Sequence, residues 1–347
     1  MLITALLLFA QNTPGADSSP QHEEESTQAT AEAVIPHITW FTQWDQAVKE
    51  AERLNRPIML QGAAPVCSDV PGMWWQGYQR QEESFFSDIR VIEASKGWVC
   101  VRLATYESAE EAIVLKRWLK GVRGGGGEIG LRNTTFALLD PSGEKALGRT
   151  GRSPQMVYKD IDSFASNLSS LASKFDSANR KDIFPTESLP LIPSLRLGLN
   201  IAACDSLPLV VVIEDDSDEQ REKFLYLTHL SRNDSLAGQA HYVLLKDTKE
   251  IEDLKNYKEG NFVYVLKPDN FGVTGEVVAA FQDLKTLSVV ALETAFNIAQ
   301  APKKSLSDSR QHVRKGKREG ITWESQLPRA DGSARSTSPK DRPHLKE

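Results

Sequence analysis

Cys67, Cys100 and Cys204 are the only thiols in the chain's 347 residues, and their wide spacing fits neither a disulfide framework nor a zinc site. Of the three, Cys67 is the one placed for chemistry. A short apolar run before it, Ile58-Met59-Leu60, is bounded by Pro57 and Gly62, which predicts a buried strand. After it, Asp69 and Pro71 supply a cap and a first turn for a helix. A thiol at the carboxyl end of a strand and near a helix amino terminus is favoured as the thiolate. Such a group could form a mixed disulfide, or a sulfenic acid, that a partner thiol then resolves. Asp69 works against this, because a second negative charge disfavours the thiolate. The plain alternative is a partly buried cysteine of ordinary acidity.

Cys100 lies between Val99 and Val101 in an apolar run and reads as a buried, inert thiol. It could resolve Cys67 only if a loop brought the two together. Cys204, at a predicted helix end, reads as core. Met73, Trp74 and Trp75 follow the Cys67 loop, with Tyr78 close behind. Two adjacent tryptophans cannot both face inward from one helix, so at least one is free to line a groove for an apolar peptide. The glycine run 124–127 lacks the Gly-Lys-Ser/Thr ending of a phosphate loop and reads as a flap beside Thr134. The six histidines are scattered, and no metal or other cofactor is expected. Asn133, Asn167 and Asn233 each begin a glycosylation sequon, a pattern common by chance.

The elements that must position these residues follow from periodicity. Trp44, Ala47, Val48, Ala51 and Leu54 recur at helical spacing, and Asn55-Arg56-Pro57 stops that helix. After the strand 58–62, a helix is predicted over 82–95 with Phe85, Phe86, Ile89 and Ile92 inward. A strand over 98–103 and a helix over 109–120 come next. Thr134–Leu139 reads as a strand, Asp140-Pro-Ser-Gly as a tight turn, and 144–149 as a hairpin partner. Val157 to Phe175 then marks a long amphipathic helix.

The same order returns after a proline-containing link. Helices are predicted at 195–203, 218–230, 250–257 and 284–298, and strands at 208–213, 241–245, 262–266 and 276–280. A helix running into Arg56-Pro57 matches one running into Leu207-Pro208. Ala137-Leu-Leu-Asp-Pro matches Tyr264-Val-Leu-Lys-Pro. The pattern predicts internal duplication of one α/β unit.

Trp44-Asp-Gln-Ala-Val-Lys-Glu-Ala with Arg56-Pro-Ile-Met-Leu, then Ala64-Pro-Val-Cys, then Thr134-Thr-Phe-Ala-Leu-Leu-Asp-Pro-Ser-Gly together resemble the thioredoxin-like superfamily, and in particular its exported members. The resemblance implies an α/β fold of two tandem thioredoxin-like domains, each a mixed sheet with helices on both faces. It covers 37–177 clearly and 194–300 more weakly. The departures bear on function. Where the family carries Cys-x-x-Cys, this chain reads Cys67-Ser68-Asp69-Val70, so the resolving thiol is missing. Thr134 stands where a cis-proline is expected, Gln61 where a buried proton-accepting acid is expected, and Val66 where a tryptophan is expected. The second half has Glu214-Asp-Asp-Ser-Asp at the corresponding loop and no thiol.

Length allows two domains, and a net charge of -6 excludes a generally basic, nucleic-acid-binding character. The opening Met-Leu-Ile-Thr-Ala-Leu-Leu-Leu-Phe-Ala is too short to span a bilayer and resembles the apolar core of a secretory signal. The expected layout is a signal peptide over 1–16, a disordered acidic linker over 17–36, the first domain over 37–177, a linker over 178–193, the second domain over 194–300 and a basic disordered tail over 301–347. A periplasmic or secreted protein follows, with no membrane span once the signal is removed. The leading functional expectation is a module with a degenerate active site that binds protein or peptide partners through Cys67, Met73, Trp74, Trp75 and Thr134. The alternative is a single-cysteine thiol–disulfide exchange protein acting through Cys67. No nucleic-acid partner is expected, although the basic tail leaves contact with anionic polymers as a weaker third idea.

Overall fold

Pro57 and Pro208 each fix the entry to a central strand, and the two halves of the protein are built outward from those strands. A computed structural model describes residues 36–63, 85–104, 107–119, 134–175, 189–214, 217–300 and 314–324. Cys67, Met73, Trp74, Trp75, Tyr78, the glycine run and the leader lie outside the described residues.

The first half contains β1 (Trp40–Phe41), α1 (Trp44–Leu54), β2 (Ile58–Ala63), α2 (Ile89–Ser95), β3 (Val99–Ala104), α3 (Ala109–Leu119), β4 (Thr135–Leu139) and α4 (Ile161–Ala172). Its sheet has the order β1-β3-β2-β4, with β1, β3 and β2 parallel and β4 antiparallel. The second half contains β5 (Leu191–Ile192), α5 (Leu195–Asp205), β6 (Leu209–Ile213), α6 (Asp218–Leu230), β7 (His241–Leu245), β8 (Val263–Pro268), β9 (Gly275–Phe281) and α7 (Val289–Ala299). Its order, β5-β7-β6-β8-β9, repeats the same directions and adds an antiparallel edge strand. Each half thus has the mixed-sheet α/β topology expected of a thioredoxin-like fold.

Strand alternation gives each sheet two apolar faces. In the first, Met59, Cys100, Phe136 and Leu138 pack under α2 and α4, while Ile58, Leu60, Val101, Leu103, Ala137 and Leu139 pack under α1 and α3. Phe164 of α4 centres the first layer, with ring centroids 5.7 Å from Phe136, 5.8 Å from Phe85 and 6.1 Å from Phe86. In the second sheet Val210, Val212 and Val265 face α7, and Leu209, Val211 and Leu266 face α5.

Register carries the duplication down to single residues. Ile58 pairs with Leu139, and Leu209 with Leu266, so the Ala137 and Tyr264 segments do correspond. α1 and α5 each end in a left-handed residue that is not glycine, Asn55 and Ser206, just ahead of Arg56-Pro57 and Leu207-Pro208. The halves diverge after that. β4 turns at once, because Asp140 Oδ1 accepts the backbone N–H groups of Glu144 and Lys145. β8 runs on to Pro268 before Asp269 makes the same turn with Val273 and Thr274.

Several expected elements differ in the structure. Residues 144–149 form no named strand, and only isolated bridges, Leu139 to Ala146 and Phe136 to Gly151, cover β4. The helix expected over 82–95 starts at Ile89, where the Asp88 side chain caps the Arg90 N–H, and Ile89 is 51% exposed rather than inward. The helix expected over 250–257 is a series of turns, since Lys255 is drawn into a bridge with Glu276 of β9. The final helix of the first half begins at Ile161, behind a capping box between Asp160 and Ser163. Leu191–Ile192, read as linker, is the first strand of the second sheet. Within the tail expected to lack structure, residues 314–324 are ordered, because Trp323 buries its ring against the second half.

Candidate functional site

β2 ends four residues before Cys67, and its last residues are the described part of the chain nearest to that cysteine in sequence. Gln61 pairs with Phe136 of β4 on one side and with Arg102 of β3 on the other. It is 2% exposed, and its Nε2 donates to the Gly62 carbonyl at 3.0 Å. Its Oε1 is buried with no hydrogen-bond partner among the described residues. An amide at this place cannot take up a proton near neutral pH, so it cannot act as the base that a buried carboxylate would provide.

Gly62 is opposite Thr135, and a Cβ on Gly62 would lie 2.8 Å from Leu115 Cδ2 and 3.1 Å from Thr135 Cβ. Glycine is what lets β2 and β4 close under α3. Thr134 is half-buried and immediately precedes β4, at the end of the sheet where β2 leaves it. Among the sequence-predicted site residues, Thr134 is the one the described residues place.

Cys100 sits mid-sheet, between Trp40 of β1 and Met59 of β2. Burial pushes its thiol up to about 12, and Sγ contacts the Ser95 carbonyl at 3.9 Å. It is a packed, protonated thiol. Cys204 is half-buried near the end of α5, against Phe271, Ile321 and Trp323.

The strongest electrostatic feature joins the two halves, and sequence reasoning missed it. Arg102 of β3 makes a two-pronged contact with Asp205, at 2.7 and 3.2 Å, and Asp205 Oδ2 also lies 2.7 Å from His241 Nε2. The Arg102 and Asp205 side chains are each 2% exposed. Burial alone would raise the Asp205 carboxyl, but the Arg102 charge and the His241 hydrogen bond outweigh it and hold the group at about 2. An ionised Asp205 is an acceptor only, so His241 donates its Nε2–H. Two signals were present in the sequence: an arginine inside the apolar run Val99-Cys-Val-Arg-Leu, and a carboxylate at a helix carboxyl terminus, where the helix dipole opposes it.

Other contacts close the same junction. Gln46 of α1 donates to the Leu189 carbonyl at 2.8 Å and accepts the Leu191 N–H at 3.2 Å, while Thr42 and Gln43 donate to the Leu191 carbonyl. These side chains occupy the open edge of β5, where a foreign strand would otherwise pair. Buried Glu50 binds Arg53 at 2.7 Å and Arg232 of the second half at 3.2 Å. Both halves belong to one compact unit, Ile35–Glu347.

Among the described residues no group of three His, Cys, Asp or Glu side chains is arranged to hold a metal ion. No described helix is long and apolar enough to cross a membrane.

No protein-family model matches the chain. No curated protein matches it either. Among solved structures it is similar to the zinc-bound form of human ERp44, at 11% identity and a TM-score of 0.21, over 80% of this chain and 62% of that one. The chain thus spans less than two thirds of that protein's length. The fold assignment stands on strand order and direction in the two sheets.

Proposed function

We propose that this is an exported thioredoxin-fold protein whose first half binds protein or peptide partners at the end of β2, without thiol–disulfide chemistry of its own. The contact face is formed by Cys67, Met73, Trp74, Trp75 and Thr134. The observation that carries the reading is Gln61: it is a buried amide at the position where the thioredoxin-like resemblance implies a proton-accepting carboxylate. The sequence Cys67-Ser68-Asp69-Val70 supports it, since a mixed disulfide formed there has no neighbouring thiol to release it. Cys100 offers no substitute, as its thiol is buried in the sheet. Periplasmic or secreted residence is part of the proposal, from the apolar amino-terminal run.

Two measurements test it together. Peptides selected from a display library on the whole protein should bind the Cys67→Ser variant as well as the wild type, and bind Trp74→Ala at least about tenfold more weakly. Alkylation of Cys67 followed across pH should have its midpoint near that of a free thiol, about 8.5. A midpoint well below that, together with Cys67-dependent mixed disulfides in an envelope extract, would replace this reading with single-cysteine exchange.

A further inference from the structure

The basic carboxyl-terminal region folds back in a way that its composition does not announce. Residues 314–318 form a helical turn, closed by Gly320 with φ of 79°. The Ile321 N–H bonds the Gly316 carbonyl at 2.9 Å and the Gly320 N–H bonds the Lys317 carbonyl at 3.3 Å. That pair of bonds is a Schellman cap. It aims Trp323 at the second half, where the indole is 6% exposed and packs edge-on to Phe271 with ring centroids 6.3 Å apart. The indole N–H donates to the Phe271 carbonyl at 2.7 Å. Arg196 of α5 donates to the Glu324 carbonyl at 2.6 Å through Nη1, and binds Glu107 of the first half through Nη2.

Each contact selects chemistry. Only an indole both fills the space beside Phe271 and supplies an N–H donor; a phenyl ring lacks the donor. A Cβ at position 316 would lie 2.5 Å from the indole and 3.1 Å from the Phe271 ring, so glycine is required there. Arg196 reads a backbone carbonyl just after the tryptophan. The seat offers an aromatic ring, a backbone acceptor and an arginine shared with Glu107, and the chain's own segment meets all three.

We infer that the second half carries a binding site for a tryptophan-anchored peptide, and that residues 314–324 are its tethered ligand. The inference is independent of the role proposed for the Cys67 face. Because the ligand is attached to its site through residues 301–313, its local concentration is high, and a free peptide meets an occupied seat in the wild type. Removing the anchor should open the seat in the whole protein. Cys204, packed against Trp323, reports occupancy through its accessibility to alkylation.

The test uses full-length protein and a fluorescent synthetic peptide of residues 314–324, read by anisotropy. The Trp323→Ala chain should bind the peptide at least about tenfold more tightly than the wild type does, and a peptide carrying alanine at the tryptophan should not bind. Cys204 labelling, mapped by peptide mass spectrometry, should quicken in Trp323→Ala and slow again when the peptide is added. Trp323→Phe, which keeps a ring and loses the donor, is a second host if the alanine chain does not fold. Failure of the peptide to bind either folded variant would overturn the inference. So would equal binding by wild type and variant.

Discussion

Asp205→Asn is the substitution that most directly probes what holds the two halves together. The asparagine side chain would fill nearly the same volume but lose the charge, depriving the Arg102 guanidinium, 2% exposed, of the Asp205 carboxylate. Removing one partner of a buried ion pair costs about 3–5 kcal/mol, mostly as the uncompensated charge left behind. That is a large share of the roughly 5–15 kcal/mol typical of folded proteins. The pH dependence supplies a second figure. A carboxyl held at about 2 against an ordinary 3.8 contributes stability that is complete above pH 3.8 and lost as pH falls toward 2. That gap of just under two units corresponds to roughly 2 kcal/mol. Urea unfolding followed by tryptophan fluorescence at pH 7 should show a loss of about 3–5 kcal/mol for Asp205→Asn. Between pH 3.8 and 2 the wild type should lose stability faster than the variant. Arg102→Met with Asp205→Leu, which removes both charges, should recover most of the loss. A single Asp205→Asn variant within about 1 kcal/mol of wild type, with an unchanged acid limb, would refute the reasoning.

Three further outcomes follow from individual contacts. Glu111 is half-buried beside Glu107, Asp45 and Glu110, and burial, then these charges, pushes its carboxyl up to about 8. The folded protein therefore holds an extra proton, so stability should fall as pH rises from 4.5 to 8, and Glu111→Gln should flatten that slope in melting curves. Gly272 has φ of 68°, and a Cβ there would lie 2.7 Å from the Leu199 carbonyl oxygen, so Gly272→Ala should cost more than about 2 kcal/mol. Gly148→Ala, with nothing near its Cβ position, should leave the melting temperature unchanged. Alkylation of native protein at pH 8 should leave Cys100 unmodified while Cys204 reacts slowly, and labelling of Cys100 without unfolding would contradict its burial.

Local pattern was enough to reveal the α/β class, the duplication and most element cores. Alternating apolar strands and 3.6-residue stripes are short-range consequences of burying one face. The prolines ahead of both central strands and the Asp140 turn are equally local. That Gln61, six residues ahead of Cys67, is an amide was also visible, because a strand position can be counted from a motif. Residues 250–257 show the limit: their spacing suits a helix, but a bridge from Lys255 to Glu276 lies outside any local window. The junction is the clearest case. Arg102, Asp205 and His241 are separated by 103 and 36 residues, and nothing in composition says that a strand arginine and a helix-terminal aspartate share one low-dielectric site. Trp323 likewise read as a lone aromatic in a basic tail until the turn at Asp269–Gly272 presented a carbonyl to its indole. The sequence by itself determined what each element is and which side it buries. Tertiary structure alone decided which polar groups meet, because such pairing depends on where the two sheets come to rest against each other.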